Sequence, residues 1–190
     1  MNNSDTEIVT ERLTLVPHGP QFLETTNEYA LDPENTKYMF YLPNQDSEET
    51  LAFLRSAEEE WAKDEPSSYE YAVLYEGRHI GAVSIYLENG AWEIGWILNK
   101  KYWGQGFGYE AAKALVDHFA GRGVRRFIAH CDTENAASRK IMEKLGMTLT
   151  GEYGGRRNRG ADHDSFEYQY ELEVTGAMGE SSPKNGKEGI

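Results

Sequence analysis

The chain has 190 residues, 39% apolar and 27% charged, which suffices for one domain with a true core and is short for two. A single cysteine, Cys131, excludes an internal disulfide and fits a reducing cytoplasm; the acidic start MNNSDTEIVTERL is no signal peptide, and no apolar run approaches membrane-spanning length. A net charge of −13 argues against a nucleic-acid partner, because phosphate binding needs a basic face.

Residues 11–16, ERLTLV, alternate and predict a first strand, which Pro17 and Gly19 end. A short helix is expected over 20–31. A longer one is expected over 47–64, with Ser47 as N-cap and Leu51, Leu54, Ala57 and Trp61 as its apolar stripe. Period two then takes over. YEYAVLYE (69–76), HIGAVSIYLE (79–88) and AWEIGWIL (91–98) predict three strands, joined at Gly77-Arg78 and Asn89-Gly90 into an antiparallel meander. A helix over 108–121 buries Ala111, Ala112, Leu115, Val116 and Phe119. RRFIAHCD (125–132) predicts a strand, and ENAASRKIMEKLG (134–146) a helix that Gly146 closes. MTLTGEY and SFEYQYELEV add two strands, and the polar residues 175–190 are expected to form a disordered tail. This order is a mixed α/β sheet in one domain. Residues 41–70 hold nine acids against two bases; a solvated helix face is the plain reading, a cationic substrate the sharper one.

The segment YWGQGFGYEA raises the functional question. Gly104, Gly106 and Gly108 alternate directly before a helix, where unpaired N–H groups and a partial positive charge attract phosphate. Glycines there let a pyrophosphate approach the backbone. The segment is neither a P-loop, which needs Gly-Lys-Ser/Thr, nor a Rossmann fingerprint, which needs G-x-G-x-x-G in a parallel unit. Taken alone it is equally a tight strand-to-helix turn.

Four stretches in order, ERLTL, EIGWIL, YWGQGFGYEA and the Asn135-x-x-Ser138 to KLGM segment, resemble the GNAT superfamily of N-acetyltransferases, and most closely its RimJ/RimL-type branch. The resemblance spans roughly residues 8 to 173. It implies a single-domain fold over 8–174, with a central mixed, mostly antiparallel twisted sheet flanked by helices. It implies acetyl-CoA as co-substrate and no metal. The backbone of Ile97 and Leu98 would pair with the pantetheine arm, and the N–H groups of Gly104, Gln105, Gly106, Phe107, Gly108 and Tyr109 would hold the pyrophosphate. Asn135 and Ser138 would contact the cofactor arm, although Asn135 is equally a good N-cap. One departure is Trp103, which stands where the family has Gln or Arg.

Transfer to an amine needs a base to strip the ammonium, an oxyanion donor and a proton for the leaving thiolate. On AWEIGWIL, alternation puts Trp92, Ile94, Trp96 and Leu98 on one face and Glu93, Gly95 and Ile97 on the other. The resemblance makes Glu93 the base and a backbone N–H near Ile97 or Leu98 the oxyanion donor. Many relatives supply the acid from a tyrosine at the position of Met142, so here Ser138 or a water would protonate the thiolate. His118, His130 and Cys131 lack metal-ligand spacing, Cys131 reads as core, and the RRNRG loop (156–160) as exposed charge. The expected activity is a cytoplasmic N-acetyltransferase, monomeric or dimeric, that acts in a ternary complex on a protein N-terminus or small amine. The rivals are an acyl-CoA-binding sensor of the same fold and a nucleotide-binding module.

Overall fold

The computed structural model describes residues 6–175. The tail expected over 175–190 lies, apart from Thr175, outside the described residues. Twelve elements follow in chain order: β1 (Ile8–Val9), β2 (Leu13–Pro17), α1 (Leu23–Ala30), α2 (Ser47–Trp61), β3 (Ser68–Tyr75), β4 (Arg78–Glu88), β5 (Ala91–Leu98), α3 (Phe107–Gly121), β6 (Arg126–Asp132), α4 (Ala136–Lys144), β7 (Thr148–Arg156) and β8 (Ser165–Glu173). They build one eight-stranded sheet in the order β1-β2-β3-β4-β5-β6-β8-β7. Every neighbouring pair is antiparallel except β5 and β6, so the sheet is mixed and mostly antiparallel, as expected.

The meander forms because strand alternation and turn chemistry agree. Asn89 and Gly90 both take positive φ (48° and 80°), and Ala91 then pairs with Glu88 across the tight turn. Helix α3 buries the expected stripe of Ala111, Ala112, Leu115, Val116 and Phe119. It packs on the sheet face that carries Ile94 and Leu98. Burying such side chains contributes roughly 1.5–3 kcal/mol apiece. Helices α1 and α2 stand over the opposite face. Helix α2 starts at Ser47 but is capped by Asp46, whose carboxylate accepts from the backbone N–H of both Glu48 and Glu49 at 2.9 Å. The expected Ser47 cap is thereby corrected. Asp and Ser stood side by side there, and only the extended backbone at Asp46 (φ −156°) selects it.

Under α1 lies a buried histidine pair. The rings of His18 and His79 are 5.1 Å apart, and Phe22 and Tyr29 flank them. His18 Nε2 is 3.2 Å from Thr26 Oγ1, and His79 Nδ1 is 2.7 Å from Thr25 Oγ1. Burial pushes His18 down to about 3, with help from His79, and His79 down to about 4. Both folded-state values lie below the unfolded one near 6.5, so the unfolded chain takes up protons first as pH falls. The pair costs nothing above about pH 6.5. Below it, each histidine removes stability at up to about 1.4 kcal/mol per pH unit until its folded value is reached. The urea midpoint is expected to fall between pH 6.5 and 4.5, and more shallowly in a His79→Gln variant; equal slopes would refute this origin.

Candidate active site

The site begins where two strands stop pairing. Strands β5 and β6 share only two positions, Trp92 with Phe127 and Glu93 with Ile128. Beyond Glu93 they part, and the β5 backbone on that side faces a gap. Which residues face it follows from the antiparallel ladder with β4, where hydrogen-bonding residues alternate. Asn99 N–H donates to Ile80 O at 2.8 Å, and a Cβ on Gly81 would lie 2.2 Å from Ile97 O. The odd-numbered residues of β5 therefore turn their backbone toward β4, and Trp96 and Leu98 turn theirs to the gap. This corrects the expected pair of Ile97 and Leu98: the backbone of Ile97 is used up on Ala82, its partner on β4. The Leu98 carbonyl already accepts from Asn35 Nδ2 (3.0 Å) and Trp103 Nε1 (2.9 Å), which leaves its N–H. Trp103, the departure from the family pattern, thus braces the end of β5.

The three glycines divide their work. Gly104 and Gly106 take φ of 75° and 83°, the left-handed region that disfavours other residues, and a Cβ on Gly104 would meet open space. Gly108 has a different reason: its Cβ would come within 3.0 Å of Ile141 Cδ1, so it lets α3 approach α4. Gly106 caps α3 without a side-chain bond, so the first N–H groups of the helix point outward uncapped. Gln105 is exposed, Tyr109 is half-buried, and the Phe107 side chain is core (1% exposed), so Phe107 can offer only its backbone. Arg12, which sequence reasoning missed as a site residue, lies over the Phe107 ring at 4.5 Å. Its guanidinium donates to Gln105 O at 3.0 Å and pairs with Glu110 at 2.6 Å. A side-chain guanidinium therefore does reach the glycine loop, from β1–β2 rather than from position 103.

A cavity of about 1220 Å³ runs from this gap to the far side of the sheet. At the gap it is lined by Trp96, Ile97, Asn135 and Ser138, and at the other end by α1, α2 and residues 38–42. Asn135 caps α4, its Oδ1 accepting from Ser138 N–H at 3.1 Å, and Ser138 Oγ accepts from Trp96 Nε1 at 3.1 Å. With its acceptor side taken by the indole, the serine keeps its own proton to give. Met142 is in the core and has none to give.

Glu93 lies in the middle of the cavity and is only 9% exposed. Its Oε1 is 3.0 Å from His130 Nδ1, and His130 Nε2 is 3.2 Å from Gln169 Oε1. Burial alone would raise the Glu93 carboxyl. The hydrogen bond and charge of His130 outweigh it, with Tyr86 and Glu88 adding hydrogen bonds, and leave it below the usual range. Bonding to Glu93 raises His130 in turn, and raises Glu88. In the sequence His130 is considered only as a metal ligand, not as a partner of Glu93. Alternation on RRFIAHCD could have found it, since Phe127 and Ala129 are core while Ile128 and His130 line the cavity, which Cys131 also reaches from the core. Burial pushes the Cys131 thiol up to about 11, so it stays protonated.

The RRNRG reading holds for Arg157 and Arg159, which are exposed, and is corrected at Arg156. Arg156 ends β7, its side chain is 9% exposed, and it pairs with Glu167. It also donates to Asn158 Oδ1 (2.8 Å) and Tyr38 O (3.1 Å). Arg159 pairs with Glu49 at 2.5 Å and donates to Tyr41 O. Arg156 from within and Arg159 from the surface hold residues 38–49 over the cavity.

Comparison with known proteins accords with this geometry. The family profile described as "Acetyltransferase (GNAT) domain" matches residues 12–148, and the chain belongs to the GNAT acetyltransferase family, whose relatives are named N-acetyltransferases. The uncharacterized N-acetyltransferase p20 of Bacillus licheniformis is 29% identical over 148 residues, which cover 76% of this chain and 83% of the relative. The ribosomal-protein-serine acetyltransferase of Escherichia coli (strain K12) is 33% identical over 85 residues, 43% of this chain and 48% of that one. Among solved structures, a GNAT acetyltransferase from Bacillus anthracis superposes with a TM-score of 0.73 at 26% identity, covering 88% of this chain and 98% of that chain. RimL, a ribosomal alpha-N-protein acetyltransferase in complex with coenzyme A, superposes with a TM-score of 0.73 at 24% identity over 86% and 96% of the chains, a likeness of fold. Among the described residues no group of His, Cys, Asp and Glu could hold a metal ion, and no helix is long and apolar enough to cross a membrane.

Because Gly81 sits against Ile97 O, Gly81→Ala must push β4 from β5 at the mouth of the gap. A loss of about 1–3 kcal/mol in urea unfolding is expected, against less than about 0.5 kcal/mol at an exposed control such as Lys113→Ala. A neutral Gly81→Ala would refute the tight β4–β5 seam.

Proposed function

We propose that the chain transfers an acetyl group from acetyl-CoA to a primary amine, directly and within a ternary complex. The observation that carries this reading is the parting of β5 from β6 beside the uncapped start of α3, with the Glu93–His130 pair in the same cavity. The residues fit the donor. The N–H groups around Gly104 to Tyr109 would hold the pyrophosphate, and Arg12 adds positive charge beside them. The gap-facing backbone of Trp96 would pair with the pantetheine arm, the Leu98 N–H would meet the thioester oxygen, and Asn135 and Ser138 would flank the arm.

The chemistry then falls to few groups. The Glu93–His130 pair takes the proton from the substrate ammonium, and the charge settles on the imidazole. The amine lone pair forms the C–N bond, and the Leu98 N–H would steady the oxyanion. As the C–S bond breaks, the nitrogen's surplus proton passes to the thiolate through the Ser138 hydroxyl, which gives its own proton and takes that one in return. The protonated Cys131 supports direct transfer over an acyl-enzyme. The acceptor would be a protein N-terminus or a small amine, and the setting the cytoplasm, with the domain spanning residues 8–174 and working as monomer or homodimer.

Acetyl-CoA and CoA, but not ATP or NAD, are expected to raise the melting temperature; a ligand at a hundredfold excess over Kd contributes about 2.7 kcal/mol. Glu93→Gln is expected to keep that shift and to lower kcat roughly 100-fold or more. Unchanged kcat would remove Glu93 as base and revive the acyl-CoA sensor. His130 is raised above its ordinary value, and the pair must be unprotonated to act. Activity is therefore expected to fall as pH drops through a value above 6.5, and His130→Gln is expected to move that limb down; an unmoved limb would separate His130 from the base.

A further inference from the structure

Among the described residues the cavity lining holds one carboxyl, Glu70, that neither the reaction nor another side chain uses. Glu70 lies on β3, in register with Ser84 of β4, which is in register with Gly95 of β5, and all three line the cavity. A Cβ at Gly95 would lie 2.9 Å from Ser84 Oγ, so the glycine keeps the floor between Glu70 and Glu93 low. Two strand spacings and a two-residue offset put the α-carbons of Glu70 and Glu93 about 12 Å apart. The other cavity carboxylates are all engaged: Glu49 by Arg159, Glu167 by Arg156, Glu93 by His130, and Glu88 by Glu93. Arg126, the remaining lining arginine, is held by Glu171 at 2.9 Å. Among the described residues the Glu70 carboxyl has no hydrogen bond and no ion pair; its backbone oxygen alone is used, by His18 N–H and Trp61 Nε1. Burial pushes this carboxyl up to about 8. Tyr29 of α1 is the titratable group that feels its charge, and the cations of the cavity lining, Arg126, His130, Arg156 and Arg159, are each held by another carboxylate.

Glu70 is half-buried and opens on the cavity with no partner inside the chain, which makes it a place to receive a cationic group. Resting on the transferase reading above, we infer that Glu70 is the counter-charge for a second cation of the acceptor, so that the acceptor class is an aliphatic diamine or polyamine rather than a monoamine. One nitrogen would reach the Glu93–His130 pair while the other meets Glu70. The ammonium would draw Glu70 into its ionised form, so binding releases a proton from it near neutral pH.

The test is calorimetric titration of 1,6-diaminohexane and n-hexylamine into the wild-type chain and a Glu70→Gln variant at pH 7, in two buffers of different ionisation heat. The expected result is a diamine preference of tenfold or more in the wild type, with a buffer-dependent heat that reports proton release. Glu70→Gln should lose both. Glu70→Asp, which keeps the charge one methylene further back, should retain part of the preference if the glutamine variant does not fold. Equal affinities, undetectable diamine binding, or a preference that survives in Glu70→Gln would overturn the assignment. Because binding is read without turnover, a failure of the transferase reading would show separately, as absent thiol release with any amine.

Discussion

The site depends on one constraint: β5 may pair with β6 for two residues and no more. Were the ladder to continue, the backbone of Trp96 and Leu98 would be consumed within the sheet and the cavity would close. The parting is held by side chains. The Trp96 indole reaches Ser138 in the first turn of α4, and Gly108 lets Ile141 lie close against α3. The two helix starts are thus set on either side of an open strand edge. Unpaired backbone groups are expensive when buried, so an edge kept open inside a domain is a place built to receive another chain of donors and acceptors.

The rim is assembled by contacts between residues far apart in sequence. Glu110, in the first turn of α3, accepts from Thr10 Oγ1 (2.6 Å), from Arg12 N–H (2.9 Å) and from the Arg12 guanidinium. Asp132, at the end of β6, is 2% exposed and accepts from Asn158 Nδ2 (2.6 Å), Ser165 Oγ (2.7 Å) and Glu134 N–H (2.8 Å). Burial opposes its charge, but these donors win and keep its carboxyl below the usual range. Through Asn158 it fixes the loop whose Arg156 and Arg159 hold residues 38–49. Charged groups at this rim are mostly spent on each other, so their role is shape rather than net attraction.

What the sequence disclosed was local. Asn89-Gly90 between alternating runs gave the hairpin, the spacing of Ala111, Leu115 and Phe119 gave α3, and Asn135 gave the start of α4, because each signal is settled within one turn or one strand. Glu93 could be placed on a face by parity alone. Its partner His130 needed the parallel register of β6, which no short-range pattern fixes. The phase of Ile97 against Leu98 likewise hung on which residue of β4 it met. Arg12 was invisible as a loop residue because its contacts lie near position 105. Asp46 displaced Ser47 because two capping side chains were adjacent and only backbone geometry chose between them. Arg156 looked exposed because a basic loop usually is; its burial required Glu167 and Tyr38 to be brought from elsewhere.

The carbonyl oxygen of Leu98 accepts from Asn35, in the segment after α1, and from Trp103, which opens the glycine loop. Asn35 in turn accepts from Lys100 N–H at 2.6 Å. A single oxygen therefore ties the segment after α1 to the glycine loop. Any ligand that tightens one loop against it stiffens the other, and such coupling is reciprocal by thermodynamic necessity. The two substrates of a ternary complex would then report on each other's presence through one peptide group.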